Sequence, residues 1–224
     1  MKNNISENAK TITIKGVGKV SANADSVVLS MSLTTINPSY DKTIDEAAQK
    51  IKYINDSICE AGFEKSDLKT TNFNVNTEYT SVKDRDGEYR QRFDGYRVNH
   101  QLKLKFDLDM AKLSQVISAI SNCPARPKLS IEFTVKDPTT INEELLRSAA
   151  ANAKQKAKIL CSEMDVELGK LITISYNWGE IDIYSHTEYE TGLIPGSAPS
   201  DRSIDITPED IDVSDSATFV WEIK

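Results

Sequence analysis

Apolar residues recur at every second position through several segments, and this period of two constrains the chain more than any other feature. Val27, Leu29, Met31 and Leu33 alternate with polar or smaller neighbours, the pattern of a strand with one buried and one wet face. Phe73, Val75, Thr77 and Tyr79 alternate with Asn72, Asn74, Asn76 and Glu78, and Leu129, Ile131, Phe133 and Val135 repeat the theme. A slip of one residue would turn each apolar set towards water, so the alternation restricts pairing as well as facing. One segment changes phase. Tyr89, Gln91 and Phe93 share one parity, whereas Tyr96, Val98, His100, Leu102, Leu104 and Phe106 share the other. The switch requires one residue out of register, and Gly95 lies at it, which predicts a β-bulge there.

Between these strands the period lengthens to that of a helix. After Asn37-Pro38, residues Tyr40, Ile44, Ala47, Ala48, Ile51, Ile54 and Ile58 form one stripe that stops before Gly62, a residue suited to a left-handed cap. Asp107 is placed to cap a second helix with Met110, Leu113, Val116, Ile117 and Ile120 inward. Thr140 and Glu143 have capping-box spacing ahead of a third, whose stripe runs Ile141, Leu145, Ala149, Ala153, Ala157, Leu160 and Met164. Ile12, Ile14 and Val20 mark an opening strand, and the turn residues Asn23 and Asp25 predict that it forms a hairpin with the next. Ile172, Ile174, Tyr176 and Trp178 mark a late strand, and Phe219, Trp221 and Ile223 the last. An acidic connection at about 179–211 separates those two, long enough to be expected mobile or partner-binding. The order ββαββαβαββ is that of an α+β fold, with antiparallel hairpins packed against helices.

Composition removes several function classes. The 27 basic and 34 acidic residues give a net charge of −7, and the cations are dispersed, so no basic face for nucleic acid is expected. No stretch reaches the roughly 20 apolar residues of a membrane span. Residues 1–10, MKNNISENAK, lack the apolar core of a secretory signal, which places the chain as written in the cytoplasm. Prior removal of a signal would place it in the envelope or outside the cell.

No arrangement of side chains spells out a catalytic, cofactor or metal site. Gly16-Val17-Gly18 is followed by a strand and not by a helix, so it reads as a bend or bulge rather than a phosphate loop. His100 falls on the apolar face of its strand, as a core histidine does. His186, near Glu188 and Glu190, is a candidate weak metal ligand, and the carboxylates of 201–215 lack calcium-loop spacing. Cys59, Cys123 and Cys161 suit neither a complete disulfide framework nor zinc. Cys59 and Cys161 sit in helical patterns and are expected in the core, whereas Cys123, before Pro124, is the candidate exposed and reactive thiol. Tyr176 and Trp178 read as packing residues, and Tyr184 and Tyr189 as candidates for a protein interface.

The chain resembles the SIMPL-domain family, whose bacterial members include an oxidative-stress defence protein and a periplasmic immunogenic protein. The resemblance lies in Ile14-Lys15-Gly16-Val17-Gly18-Lys19-Val20 followed by Ala24-Asp25, in residues 62–67 before a strand, and in Tyr96-Arg97-Val98. It continues through the alanine-rich helix at 149–157, Leu168-Gly169-Lys170 and the final strand at 213–223. Order and spacing carry it, more than any single segment. It implies one SIMPL-like domain over 11–224 behind a flexible 1–10, with no catalytic residues and no cofactor to carry over. The expected function is therefore non-enzymatic: a homo-oligomer acting as a stress-associated scaffold or binding protein, with a protein partner. The alternative is a thiol-based redox or small-ligand-binding protein.

Overall fold

A computed structural model describes residues 10–83, 86–176, 181–187, 189–191 and 207–224. Its described residues form three helices and eight strands, in an α+β arrangement of two antiparallel sheets. Contacts divide the chain into two compact units. One comprises Ala24–Thr134 and His186–Glu209, and the other Met1–Asn23, Val135–Ser185 and Asp210–Lys224.

The first unit contains β2 (Ser26–Asn37), α1 (Tyr40–Glu60), β3 (Leu68–Lys83), β4 (Tyr89–Asp107), α2 (Met110–Ser121), β5 (Lys128–Thr134) and β7 (Tyr189–Thr191), and its sheet order is β3-β4-β2-β5-β7. Alternation sets the core as the sequence requires. Val27, Leu29, Met31 and Leu33 meet Leu102, Leu104 and Phe106 of β4 and Leu129, Ile131 and Phe133 of β5, beneath Ile54 and Ile58 of α1 and Leu113, Val116 and Ile120 of α2. The helix ends follow local chemistry. Gly62 takes φ +85°, and the amides of Gly62 and Phe63 return to the carbonyls of Cys59 and Ile58 at 3.0 and 3.2 Å. Asp109, not Asp107, caps α2, accepting from the amides of Ala111 and Lys112 at 2.9 and 3.1 Å. Asp107 is instead the last residue of β4, opposite Ser26.

The bulge forms where the parity switch places it. Glu78 pairs with Gly95 and Tyr79 with Phe93, leaving Asp94 out of register. Gly95 has φ +141°, and a Cβ there would lie 2.6 Å from the Asn37 carbonyl oxygen, so both conformation and space call for glycine. A second irregularity, at Thr71 of β3, has no glycine to announce it.

The second unit contains β1 (Thr11–Ala22), α3 (Thr139–Glu163), β6 (Leu168–Tyr176) and β8 (Ile211–Ile223), with sheet order β1-β8-β6. The opening hairpin expected from Asn23 and Asp25 does not form: β1 pairs with β8 along its whole length, Thr11 opposite Glu222 through Ala22 opposite Ile211. That register is unbroken, so Gly16 and Gly18 make no bend or bulge. They make room for a helix. A Cβ on Gly16 would lie 2.2 Å from the Ala149 carbonyl oxygen and one on Gly18 2.1 Å from that of Leu145, so α3 rests directly on the strand backbone. Ala153 and Ala157 are fully buried at this contact with Ile14, Ala217, Phe219 and Trp221. The capping box expected from Thr140 and Glu143 is absent at the start of α3; Asp137 instead accepts from the Thr139 side chain and, at 2.9 Å, from the Thr139 amide, and these hydrogen bonds, the side-chain one foremost, hold its carboxyl below the usual range.

Of the 179–211 connection, the structure describes residues 181–187, 189–191 and 207–211. Ile183 and Ser185 are buried, and β7 adds to the edge of β5. Residues 1–9 of the N-terminal stretch read as flexible, Trp178, Glu188 and residues 192–206 lie outside the described residues.

Gly18→Ala therefore inserts a methyl group where backbone already stands. It is expected to lower stability by about 2 kcal/mol, the scale of overpacking a close contact. Urea denaturation checks this, and an unchanged midpoint would contradict the close approach of α3.

Candidate interaction surface

The described residues singled out for chemistry differ in their surroundings. Among the described residues no three of His, Cys, Asp and Glu cluster as metal ligands would. His186 is exposed, and the side chains of Glu188 and Glu190 lie outside the described residues. The thiols exchange their expected places. Cys123 is only 3% exposed, because its amide bonds back to the Ile120 carbonyl and the chain turns at Arg126, φ 47°, folding the thiol under the first core. Cys59 is exposed, one step around α1 from buried Ile58, and Cys161 is buried as expected.

His100 is a packed residue. Its Nε2 lies 2.9 Å from Thr70 Oγ1, and its ring meets Phe73 edge-on with centroids 5.0 Å apart. Its Nδ1 is buried with no hydrogen-bond partner, so protonating the ring would leave a donor without an acceptor. Burial accordingly pushes the imidazole below its usual range.

What the structure does present to solvent is apolar and aromatic surface. In the first unit, β2 ends at Asn37 opposite Tyr96, while β3 and β4 continue without it as a two-stranded ribbon. The bulge keeps aromatic residues on one face of that ribbon: Tyr79 and Phe93 pack edge-on with centroids 5.9 Å apart, Phe93 meets Tyr96 at 5.3 Å, and Tyr96 meets Tyr40 at 5.4 Å. Tyr79 is nevertheless 56% exposed and Phe93 43%. Glu78 is paired with Arg97 and raises the affinity of that guanidinium for its proton.

In the second unit, α3 lies along β1 and β8 and barely reaches β6. Leu171 stands opposite Trp221 and Ile174 opposite Phe219, so both continue the α3-facing apolar surface past the helix. They are 46% and 56% exposed. On the far side of α3 a shallow groove of about 330 Å³ runs past Ile14, Ile159 and Leu160, flanked by Lys15 and Lys156. Tyr184 belongs to this unit and is partly exposed; Tyr189 begins β7 in the other unit, with its backbone opposite Ile131 and its side chain outside the described residues. Tyr176 lies against Asp215, whose carboxylate raises the phenol pKa. Sequence reading missed Leu171, which falls out of phase with Ile172 and Ile174 because β6 shifts register on both sides of it.

The two units define an α+β protein built on two antiparallel sheets, with exposed apolar and aromatic side chains on both. Residues 12–221 match the SIMPL family, described as a protein of unknown function (DUF541), and the chain belongs to that family. Among curated proteins it is similar to the 26 kDa periplasmic immunogenic proteins of Brucella melitensis biotype 1 and Brucella abortus strain S19. Each is 22% identical over 219 residues, covering 95% of this chain and 84% of the relative.

The packing of His100 has a pH consequence. Its folded-state pKa lies below the unfolded value of about 6.5, so the unfolded chain takes up the proton first and stability falls as pH drops through that value. Stability measured between pH 7.5 and 5 should decline in the wild type and decline less in His100→Gln. Parallel profiles for the two proteins would contradict this placement of the imidazole.

Proposed function

We propose that this chain is a non-enzymatic SIMPL protein of the cell envelope that self-associates and serves as a stress-associated scaffold or binding protein. The observation that carries self-association is β6, an edge strand whose Leu171 and Ile174 extend an apolar surface that α3 leaves uncovered. Exposed apolar side chains beside an open strand edge are what a second copy buries on pairing. The envelope setting is supported by the relatives named as periplasmic proteins. The stress-associated role rests on the resemblance to the oxidative-stress defence members of the family. A protein partner would engage Tyr184 and Tyr189, the aromatic residues of the connection before β8.

Light scattering at micromolar concentration should give a mass above the 24.9 kDa of one chain. Ile174→Lys, which leaves the sheet hydrogen bonds in place, should shift the protein towards the monomer with an unchanged circular dichroism spectrum. A wild type that stays monomeric throughout, or a variant of unchanged mass, would count against assembly through β6.

A further inference from the structure

The two sheets treat their edges in different ways. Among the described residues, β7 ends the five-stranded sheet with three residues, and a short edge strand is a poor template for another chain. The outer edge of β1 is occupied by α3: the Val17 amide donates to Asn152 Oδ1 at 3.0 Å, the Lys19 amide to Ser148 Oγ at 3.3 Å, and Lys156 Nζ to the Lys15 carbonyl at 3.1 Å. β3 has no such guard. It forms the other edge of the five-stranded sheet, 16 residues long, and among the described residues it pairs with β4 alone.

The usual deterrents to strand addition are lysine, proline and bulges. In β3 itself they stand towards the ends, at Lys69, the Thr71 irregularity and Lys83, while the register shift between Glu78 and Tyr79 comes from the extra residue Asp94 on β4. Residues 72–82 contain neither proline nor lysine, and their single charge, Glu78, is already paired with Arg97 of the same chain. Past Asn37 this segment also belongs to the two-stranded ribbon, an arrangement of marginal stability in water without a further strand or layer.

We propose that β3 pairs with β3 of a second copy, antiparallel and two-fold about Thr77. That register is self-complementary. Val75 falls opposite the second copy's Tyr79, a β-branched and aromatic pair, and Thr77 opposite its own mate. Asn76 falls opposite the second copy's Glu78, so an amide donor meets a carboxylate and no like charges oppose. A two-fold contact uses the same patch on both copies, as a strand whose halves complement each other requires. The proposal rests on the reading that the chain self-associates, but it uses a different edge from β6 in a different unit.

Cysteine cross-linking tests the register in the full chain, with exposed Cys59 replaced by serine and buried Cys123 and Cys161 retained. Under mild oxidation Thr77→Cys should yield a disulfide-linked dimer. Ser81→Cys should not, because in this register the two copies of position 81 lie about 27 Å apart, eight residues at about 3.4 Å each. Persistence of the Thr77→Cys dimer in the Ile174→Lys background would support β3 pairing independently of β6. Equal cross-linking at 77 and 81 overturns the register. Absence of the Thr77→Cys dimer in a wild type that light scattering finds oligomeric overturns the β3 contact and leaves the β6 reading standing, whereas absence in a monomeric wild type overturns both.

Discussion

The contact between α3 and the glycine pair of β1 is the constraint on which the second unit depends. Two residues without Cβ atoms let the helix carbonyls of Leu145 and Ala149 approach the strand, and the alanines at 149, 153 and 157 keep the helix surface equally low. That closeness also brings Asn152, Ser148 and Lys156 within hydrogen-bond reach of backbone groups along the outer edge of β1. One packing choice thus positions the helix and closes an edge. Its cost is coverage: a helix set over β1 and β8 leaves β6 with its apolar side chains in water.

The first unit shows the same selectivity by other means. Its core is layered conventionally, alternating strand residues under α1 and α2, and one edge strand is shortened to three residues. The opposite edge is drawn out into a long ribbon whose bulge keeps Tyr79, Phe93 and Tyr96 on one face. Stability alone does not call for exposed aromatic residues on a two-stranded extension. Exposed aromatic surface of this kind is what the proposed contact role would use, while His100, Cys123 and Cys161 are packed into the interior and Cys59 and His186 stay exposed.

Period two and period 3.6 in the sequence were sufficient for the α+β class, most of the elements and the bulge at Gly95, because each is decided by neighbours within a few residues; the short β7 was not read as a strand, and the α3 stripe ends earlier than its spacing predicts, with Leu160 and Met164 exposed. Pairing over long separations was not legible. Asn23 and Asp25 read as a hairpin turn, yet the partner of β1 comes from the other end of the chain. Gly16 and Gly18 read as a bend because a missing Cβ serves freedom or space equally well, and only the position of α3 decides which. Cys59 and Cys123 exchanged expected burial for a similar reason: one lies a single helical step off the buried stripe, and the other is carried inward by a turn at Arg126. The candidate surfaces were least visible, since exposed Tyr79 carries the same alternation as buried strand residues and Leu171 falls outside the alternation of Ile172 and Ile174.

Amide hydrogen exchange followed against protein concentration tests most directly whether the unguarded edges are interfaces. If they are, β3 and β6 are protected at high concentration and lose that protection on dilution, while β1, closed within its own chain by α3 and β8, is protected throughout. Exchange in β3 and β6 that stays equally fast at every concentration would contradict it.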